Sequence, residues 1–296
     1  MLSSNHNLLY IFRMLRARVL ITLFVLVSLA VLLALPTRSK MSATSPTSYL
    51  GFDLNDYPGD DGLPILRKTF AFTGYWLNAP PGEKHTNWLG KRALVQSHGF
   101  GFVVLFNGRL SRNLKSSQDA KRKGALDGEN ASKLARQEGF PSGTIVFLDI
   151  EEGGRLTDAH HDYVNAWIDA LTKQNFRTGA YCSGMPVNDG DGQTITTVQD
   201  LHNHLGPRKL VLWVFNDACP PSPGCGFPQA PPPPAQSGIS DAALWQISQS
   251  PRRKEFTAQC AKTYDKDGNC YAPGDTSHKW FLDVDVATTA NPSAAQ

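Results

Sequence analysis

The sequence predicts an α/β protein, a (β/α)8 TIM-type barrel with its last helices degenerate, preceded by an N-terminal membrane anchor or signal helix. Three observations carry this. Short apolar runs alternate with helix-like runs along most of the chain. One run, Ile145-Val146-Phe147-Leu148-Asp149-Ile150-Glu151-Glu152, is apolar on both faces until its acidic end, as in a fully covered parallel strand. Hydrophobic residues make up 41% and charged residues 19% of 296 residues, which excludes wholesale disorder and leaves room for one barrel.

The first 36 residues form a separate object. Arg13, Arg16 and Arg18 precede an apolar run from Val19 to Leu35, the pattern of an export signal or an uncleaved signal anchor. The body then faces the periplasm or the exterior, tethered through the Ser/Thr-rich residues 37–48, or is secreted if the signal is cleaved. A barrel is expected over residues 49–290 and a tail over 291–296. The net charge is +3, and part of the excess sits at the N-terminus, so the body lacks the basic face a nucleic-acid binder needs.

Strands are expected at 48–54, 69–76, 101–106, 144–151, 178–183, 209–215, 243–247 and 279–286. Helical patterns lie between them at 88–97, 118–138, 159–173 and 197–205. The third is the clearest, with Tyr163, Trp167, Ile168 and Leu171 at helical spacing behind Thr157 or Asp158 as N-cap. Two long insertions follow the sixth and seventh strands. One is stiffened by Pro231–Pro234, and the other is polar and carries Cys260 and Cys270. Cys219/Cys225 and Cys260/Cys270 are spaced to close short disulfide loops in an oxidising compartment, leaving Cys182 as a buried thiol.

The carboxyl ends of barrel strands carry the chemistry in this fold class. There the sequence offers Asp53, Tyr75, Asn107 and Arg109, Asp149 and Glu151, Tyr181, Asn216, Gln246, and finally Asp283 and Asp285. Asp149 and Glu151 alternate onto one side of their strand, about 7 Å apart along the chain. Burial and mutual repulsion push one such carboxyl up and leave its partner ionised. Acids, amides and aromatic faces converging on one mouth suit a polyhydroxylated substrate. The alternative for each is structural: Asp53 bracing the rim, the acidic pair bonded to Arg109 or backbone amides, Tyr181 and Trp245 packing. His160-His161 and His202/His204 lack a matching acid cluster and are expected at the surface. No metal or other cofactor is expected. Asp189–Gly192 and Asp265–Gly268 lack a full calcium-loop pattern and are expected to be solvated turns.

Six stretches in order carry a family resemblance: Gly51-Phe52-Asp53; Gly124–Ala131 ahead of Gly139-Phe140-Pro141; Ile145–Glu151; Gly179–Ser183; Leu244-Trp245-Gln246; and Leu282–Asp285. Over Tyr49–Ala287 the chain resembles the glycoside-hydrolase-like family called domain of unknown function 1906. That family is related to family 25 glycoside hydrolases, lysozyme-type muramidases on a barrel. The resemblance implies a catalytic set of Asp53, Asp149 and Glu151, with Glu151 as general acid and Asp149 stabilising positive charge. It also matches Trp245-Gln246 and Asp283-Val284-Asp285 to the family's later motifs, though Asp285 stands where Asn is common. The expected activity is cleavage of cell-wall glycan, peptidoglycan above all. The substrate would be held by Tyr75, Asn107, Tyr181, Trp245, Gln246, Asp283 and Asp285. A glycan-binding barrel without turnover is the alternative, and carboxylate-held metal hydrolysis a third.

Overall fold

The computed structural model describes residues 48–217, 230–249, 274–276, 280 and 282–294. The signal or anchor segment, most of the tether and both proposed disulfides lie outside the described residues, as does most of the second insertion. Among the described residues no helix is long and apolar enough to cross a membrane.

Eight strands close into a barrel: β1 (Tyr49–Asp53), β2 (Phe72–Trp76), β3 (Gly101–Asn107), β4 (Ile145–Asp149), β5 (Arg177–Ser183), β8 (Val211–Phe215), β9 (Ala242–Gln249) and β10 (Asp283–Ala287). Strands β6 (Val187–Gly190) and β7 (Gln193–Ile195) form a separate hairpin that turns at Asp191-Gly192, while Asp189, expected in a solvated turn, lies on β6 and pairs with Arg155. The helices are α1 (Leu63–Leu66), α2 (Arg92–Ser97), α3 (Ser117–Gln137), α4 (Asp158–Lys173) and α5 (Thr197–His204). Every barrel strand expected from the apolar runs is present.

One strand breaks the all-parallel expectation. β10 runs antiparallel to both β1 and β9, whereas the other six neighbour pairs are parallel. A parallel return requires the chain to cross from one end of the barrel to the other, whereas an antiparallel strand starts at the end where its predecessor finished. Asp283 therefore enters at the mouth and Asp285 sits one layer deeper, in register with Gly51.

The helices form where capping and packing agree. Ser116 caps α3 by accepting from Asp119 N, and Thr157 caps α4 by accepting from His160 N. Thr196 and Gln199 form a reciprocal capping box on α5. The Trp88–Ser97 pattern yields only the short α2. Trp88 is instead a buried anchor for the preceding loop, donating from Nε1 to Leu54 O and Asn55 O at 3.1 Å each.

The family-like run Gly124–Ala131 is explained by helix contact. A Cβ on Gly124 would lie 2.2 Å from Tyr163 O, and one on Gly128 2.7 Å from Trp167 O, so only glycine lets α3 approach α4 this closely. Between them Asp127 takes a forked ion pair from Arg109, 2.6 Å from Nε and 2.8 Å from Nη2, and a hydrogen bond from Tyr163 Oη at 3.0 Å. Arg109 is thus committed to α3 and does not reach Asp149.

At the opposite end, the residues expected to form a tail are bound into the barrel. Asn291 Oδ1 accepts from Phe102 N at 2.8 Å, and Ser293 Oγ accepts from Val104 N at 2.9 Å. Cys182 is the buried free thiol expected, and burial pushes it up to about 12.

Candidate active site

A cleft of about 180 Å3 opens at the carboxyl ends of the parallel strands. Its acidic lining is Asp53, Asp149, Glu151 and Asp283, joined by Tyr181, Gln246, Trp76 and Trp213. Each acid arrives by a different route. Asp53 and Asp149 are the last residues of β1 and β4, and Glu151 lies two residues beyond its strand. Asp283 is the first residue of the antiparallel β10. Inside the wall, Gly74 leaves room for Asp53, since a Cβ there would come 2.8 Å from the Asp53 Cβ.

The acids are not equivalent. Asp149 is 4% exposed, and its Oδ2 has no hydrogen-bond partner among the described residues. Burial, followed by the charge of Glu151, pushes Asp149 well above the ordinary carboxylate range. Glu151 is exposed. The two are coupled, so a proton taken up here belongs to the pair and rests on its buried member. Below them Asp285, 1% exposed, is also pushed well up by burial, then by Asp53 and Asp283. Trp213 Nε1 donates to its Oδ1 at 3.0 Å.

One amide spans the floor. Gln246 Nε2 donates to Asp53 Oδ2 at 2.9 Å, and Gln246 Oε1 accepts from Tyr181 Oη at the same distance. This fixes the amide's orientation and gives Asp53 a neutral donor. Burial first, then the surrounding carboxylates, hold Tyr181 well above its ordinary value, so its hydroxyl remains a donor.

Several expected residues lie elsewhere. Tyr75 points out of the barrel: it is 0% exposed, packs edge-on against Trp88, Phe102 and Phe140, and donates to the Glu138 carboxylate. Trp245 is likewise fully buried away from the cleft and donates to Asn216 O at 2.8 Å. Asn107 joins the neighbouring loop, donating from Nδ2 to Ala79 O at 2.8 Å. Asp285 lies beneath the lining instead of in it. The cleft's indoles are Trp76, next to Tyr75, and Trp213, neither singled out from the sequence. Trp76 Nε1 is buried without an acceptor among the described residues. A buried donor and a buried acceptor left open around one cleft are what a ligand-binding surface requires.

The matched family segment spans the strands that carry the acidic pair. Residues 87–217 match the Rv2525c-like, glycoside hydrolase-like domain. The resemblance read from the motifs is thereby borne out over these residues, which are fewer than half of the chain. The match contains Asp149, Glu151, Tyr181 and Trp213, while Asp53, Gln246 and Asp283 reach the site from outside it. Two solved structures share the fold of this chain at TM-score 0.50. One is an uncharacterised B. stearothermophilus protein, 16% identical, covering 81% of this chain and 95% of that one. The other is the Clostridium perfringens spore cortex lytic enzyme SleM, 14% identical, covering 83% and 69%. The Mycobacterium tuberculosis Tat-secreted protein Rv2525c, solved with HEPES, aligns at TM-score 0.47 and 15% identity over 85% of this chain and 99% of its own. No curated protein matches the chain.

The histidines reverse a sequence expectation. His160 and His161 are 2% and 8% exposed rather than on the surface. His160 Nδ1 lies 2.8 Å from Glu152, whose carboxylate also accepts from Ser111 N at 2.9 Å and Ser111 Oγ at 3.0 Å. His161 pairs with the fully buried Asp200. The signal was present, because His160 and His161 precede Val164 and Trp167 on the buried stripe of α4.

Proposed function

We propose that the protein is an exported glycoside hydrolase acting on cell-wall glycan, with Glu151 as the acid that protonates the leaving oxygen. The observation that carries this is the Asp149/Glu151 pair, whose buried member is pushed well above the ordinary carboxylate range by burial and by the charge of Glu151. Glycosidases need one protonated and one ionised carboxyl group at the scissile bond. Glu151, exposed at the mouth, reaches the substrate. Asp149, behind it, supplies the proton that Glu151 delivers. Asp53 and Asp283 face the positive charge that grows on the sugar ring as the bond breaks. Trp76, Trp213 and Tyr181 line the cleft with aromatic surface, and the Trp76 indole has an unmet donor beside it. SleM, a spore cortex lytic enzyme, shares the fold, which supports peptidoglycan as the substrate class to try first. Export rests on the Arg13–Arg18 cluster and the apolar run from Val19 to Leu35.

A second reading, a glycan-binding barrel without turnover, is favoured by the cleft's size. At about 180 Å3 it is smaller than the roughly 300–1,000 Å3 typical of ligand pockets. The test is the full chain on purified peptidoglycan, with products read by mass spectrometry beside Glu151→Gln. New reducing ends that disappear in the variant establish the hydrolase. Glycan retention with no products from either protein establishes the binding barrel.

A further inference from the structure

We propose that the cavity at the amino ends of β5 and β8 binds a single-chain lipid with a phosphate head. The cavity holds about 750 Å3, within the roughly 300–1,000 Å3 typical of ligand pockets. It is bounded by the last turns of α4, the segment between α5 and β8, and the first residues of β5 and β8. The acidic cleft lies at the carboxyl ends of the same strands, so this is a separate site with chemistry of the opposite sign.

The lining combines apolar and cationic side chains. Ile168 and Phe176 are each 2% exposed, and Leu210 and Val211 are half-buried. Their carbon surface suits an alkyl chain, which it would shield from water. Beside them stand Lys173, Arg177, Arg208 and Lys209, with Asp169 as the one acid of the lining. Asp169 is already taken by Arg208 in a fork, 2.7 Å from both Nε and Nη2. Lys173, Arg177 and Lys209 have no ion-pair partner among the described residues.

The deciding atom is Arg177 Nη1. It is buried and has no hydrogen-bond acceptor among the described residues. A charged donor withdrawn from water without an acceptor is costly, and an anion in the cavity supplies the acceptor. Three uncompensated cations arrive from three elements: Lys173 ends α4, Arg177 opens β5, and Lys209 leads into β8. A phosphate monoester carries about −1.5 to −2 charges and three acceptor oxygens. That matches the set better than a carboxylate, with one charge and two oxygens. The guanidinium fork fits phosphate oxygens, and the lysines add point charge.

The surrounding backbone is compatible. Carbonyls at a helix end disfavour an anion, but those of α4 are engaged. Gln174 N donates to Leu171 O at 3.0 Å and Asn175 N to Thr172 O at 2.9 Å. Thr178 Oγ1 donates to Lys209 O at 2.7 Å, which pins the Lys209 backbone against β5.

The test uses the full chain in nonionic detergent with a dodecyl phosphate carrying a diazirine on its alkyl chain, and maps photolabelled residues by mass spectrometry. The expected result is saturable labelling within segments 168–178 and 207–211. Excess dodecyl phosphate should suppress it, dodecanoate should need at least about tenfold more to do so, and inorganic phosphate at the same concentration should not compete. Arg177→Gln should weaken binding by about tenfold or more. Lys209→Gln, at an exposed position, should weaken it by about threefold. Melting temperatures are read alongside, and Lys209→Gln decides if Arg177→Gln does not fold. Labelling confined to other segments, the apolar N-terminal run included, or undiminished labelling in Lys209→Gln would overturn the site. Equal competition by dodecanoate or by inorganic phosphate would overturn the assigned ligand.

Discussion

Glu151 and Glu152 are adjacent residues with opposite environments, and the contrast separates chemistry from scaffolding in this barrel. Glu151 projects into a cleft whose other acids outnumber its donors. Asp149 Oδ2 is left without a partner, and burial with like charge lifts Asp149 and Asp285. Glu152 points the other way into a built socket of Ser111 and His160. Glu152 is saturated with partners, as suits a group that holds structure, because a buried unmet group costs about 1–3 kcal/mol. The unmet Asp149 oxygen lies instead at a cleft lined by further acids, where a raised carboxyl is suited to a ligand or a proton.

The largest effect that would sharpen this contrast is expected at Glu151. Glu151→Gln should lower the release of reducing ends from peptidoglycan by about 10²–10⁴-fold, the range for a general acid, with little change in melting temperature. An active variant would place the chemistry elsewhere in the cleft.

Asp149→Asn should follow, with the loss in activity and a change in pH dependence. The folded pKa of Asp149 lies above its unfolded value, so the folded state binds the extra proton. The stability this contributes is fully present below the unfolded value and is lost as pH rises through the folded one. Each such proton tilts stability by up to about 1.4 kcal/mol per pH unit across that window. Asp149→Asn should flatten the melting temperature against pH at the alkaline end and make the variant the more stable protein there. A wild-type curve already flat above the ordinary carboxylate range would contradict the raised pKa.

Glu152→Gln is the reciprocal control. Loss of the charged acceptor for His160 and Ser111 should cost about 1–3 kcal/mol in chemical denaturation, while activity stays within tenfold of wild type. Activity falling as far as in Glu151→Gln would erase the distinction between the two glutamates. The smallest effect is expected from Tyr181→Phe, which removes one hydrogen bond to Gln246, worth about 1 kcal/mol. It should raise KM more than it lowers kcat.

The barrel strands were legible because β-branched apolar runs leave their mark whatever the neighbours are. The acidic pair was legible for a related reason, since an acid-x-acid step at the end of a buried run has few purely structural uses. Facing was legible less often. Tyr75 and Trp245 were expected in the cleft beside Gln246, yet strand alternation presents Trp76 with Gln246 and buries the other two; one residue of phase exchanges the two faces. The buried His160 and His161 lay on the apolar stripe of α4 and went unread because their acid partners, Glu152 and Asp200, come from other segments.

By itself the sequence determined the strand set, the main helices with the cap of α4, and the acids at the ends of β1 and β4. These follow from local periodicity and capping, which are properties of neighbouring residues. Tertiary structure alone decided the antiparallel direction of β10, the depth of Asp285 and the Gln246 bridge between Asp53 and Tyr181. It also decided that Glu152 is held by Ser111 and His160. Those depend on which groups from distant segments come within hydrogen-bonding distance and how far water is excluded around them, and both are set only when the barrel closes.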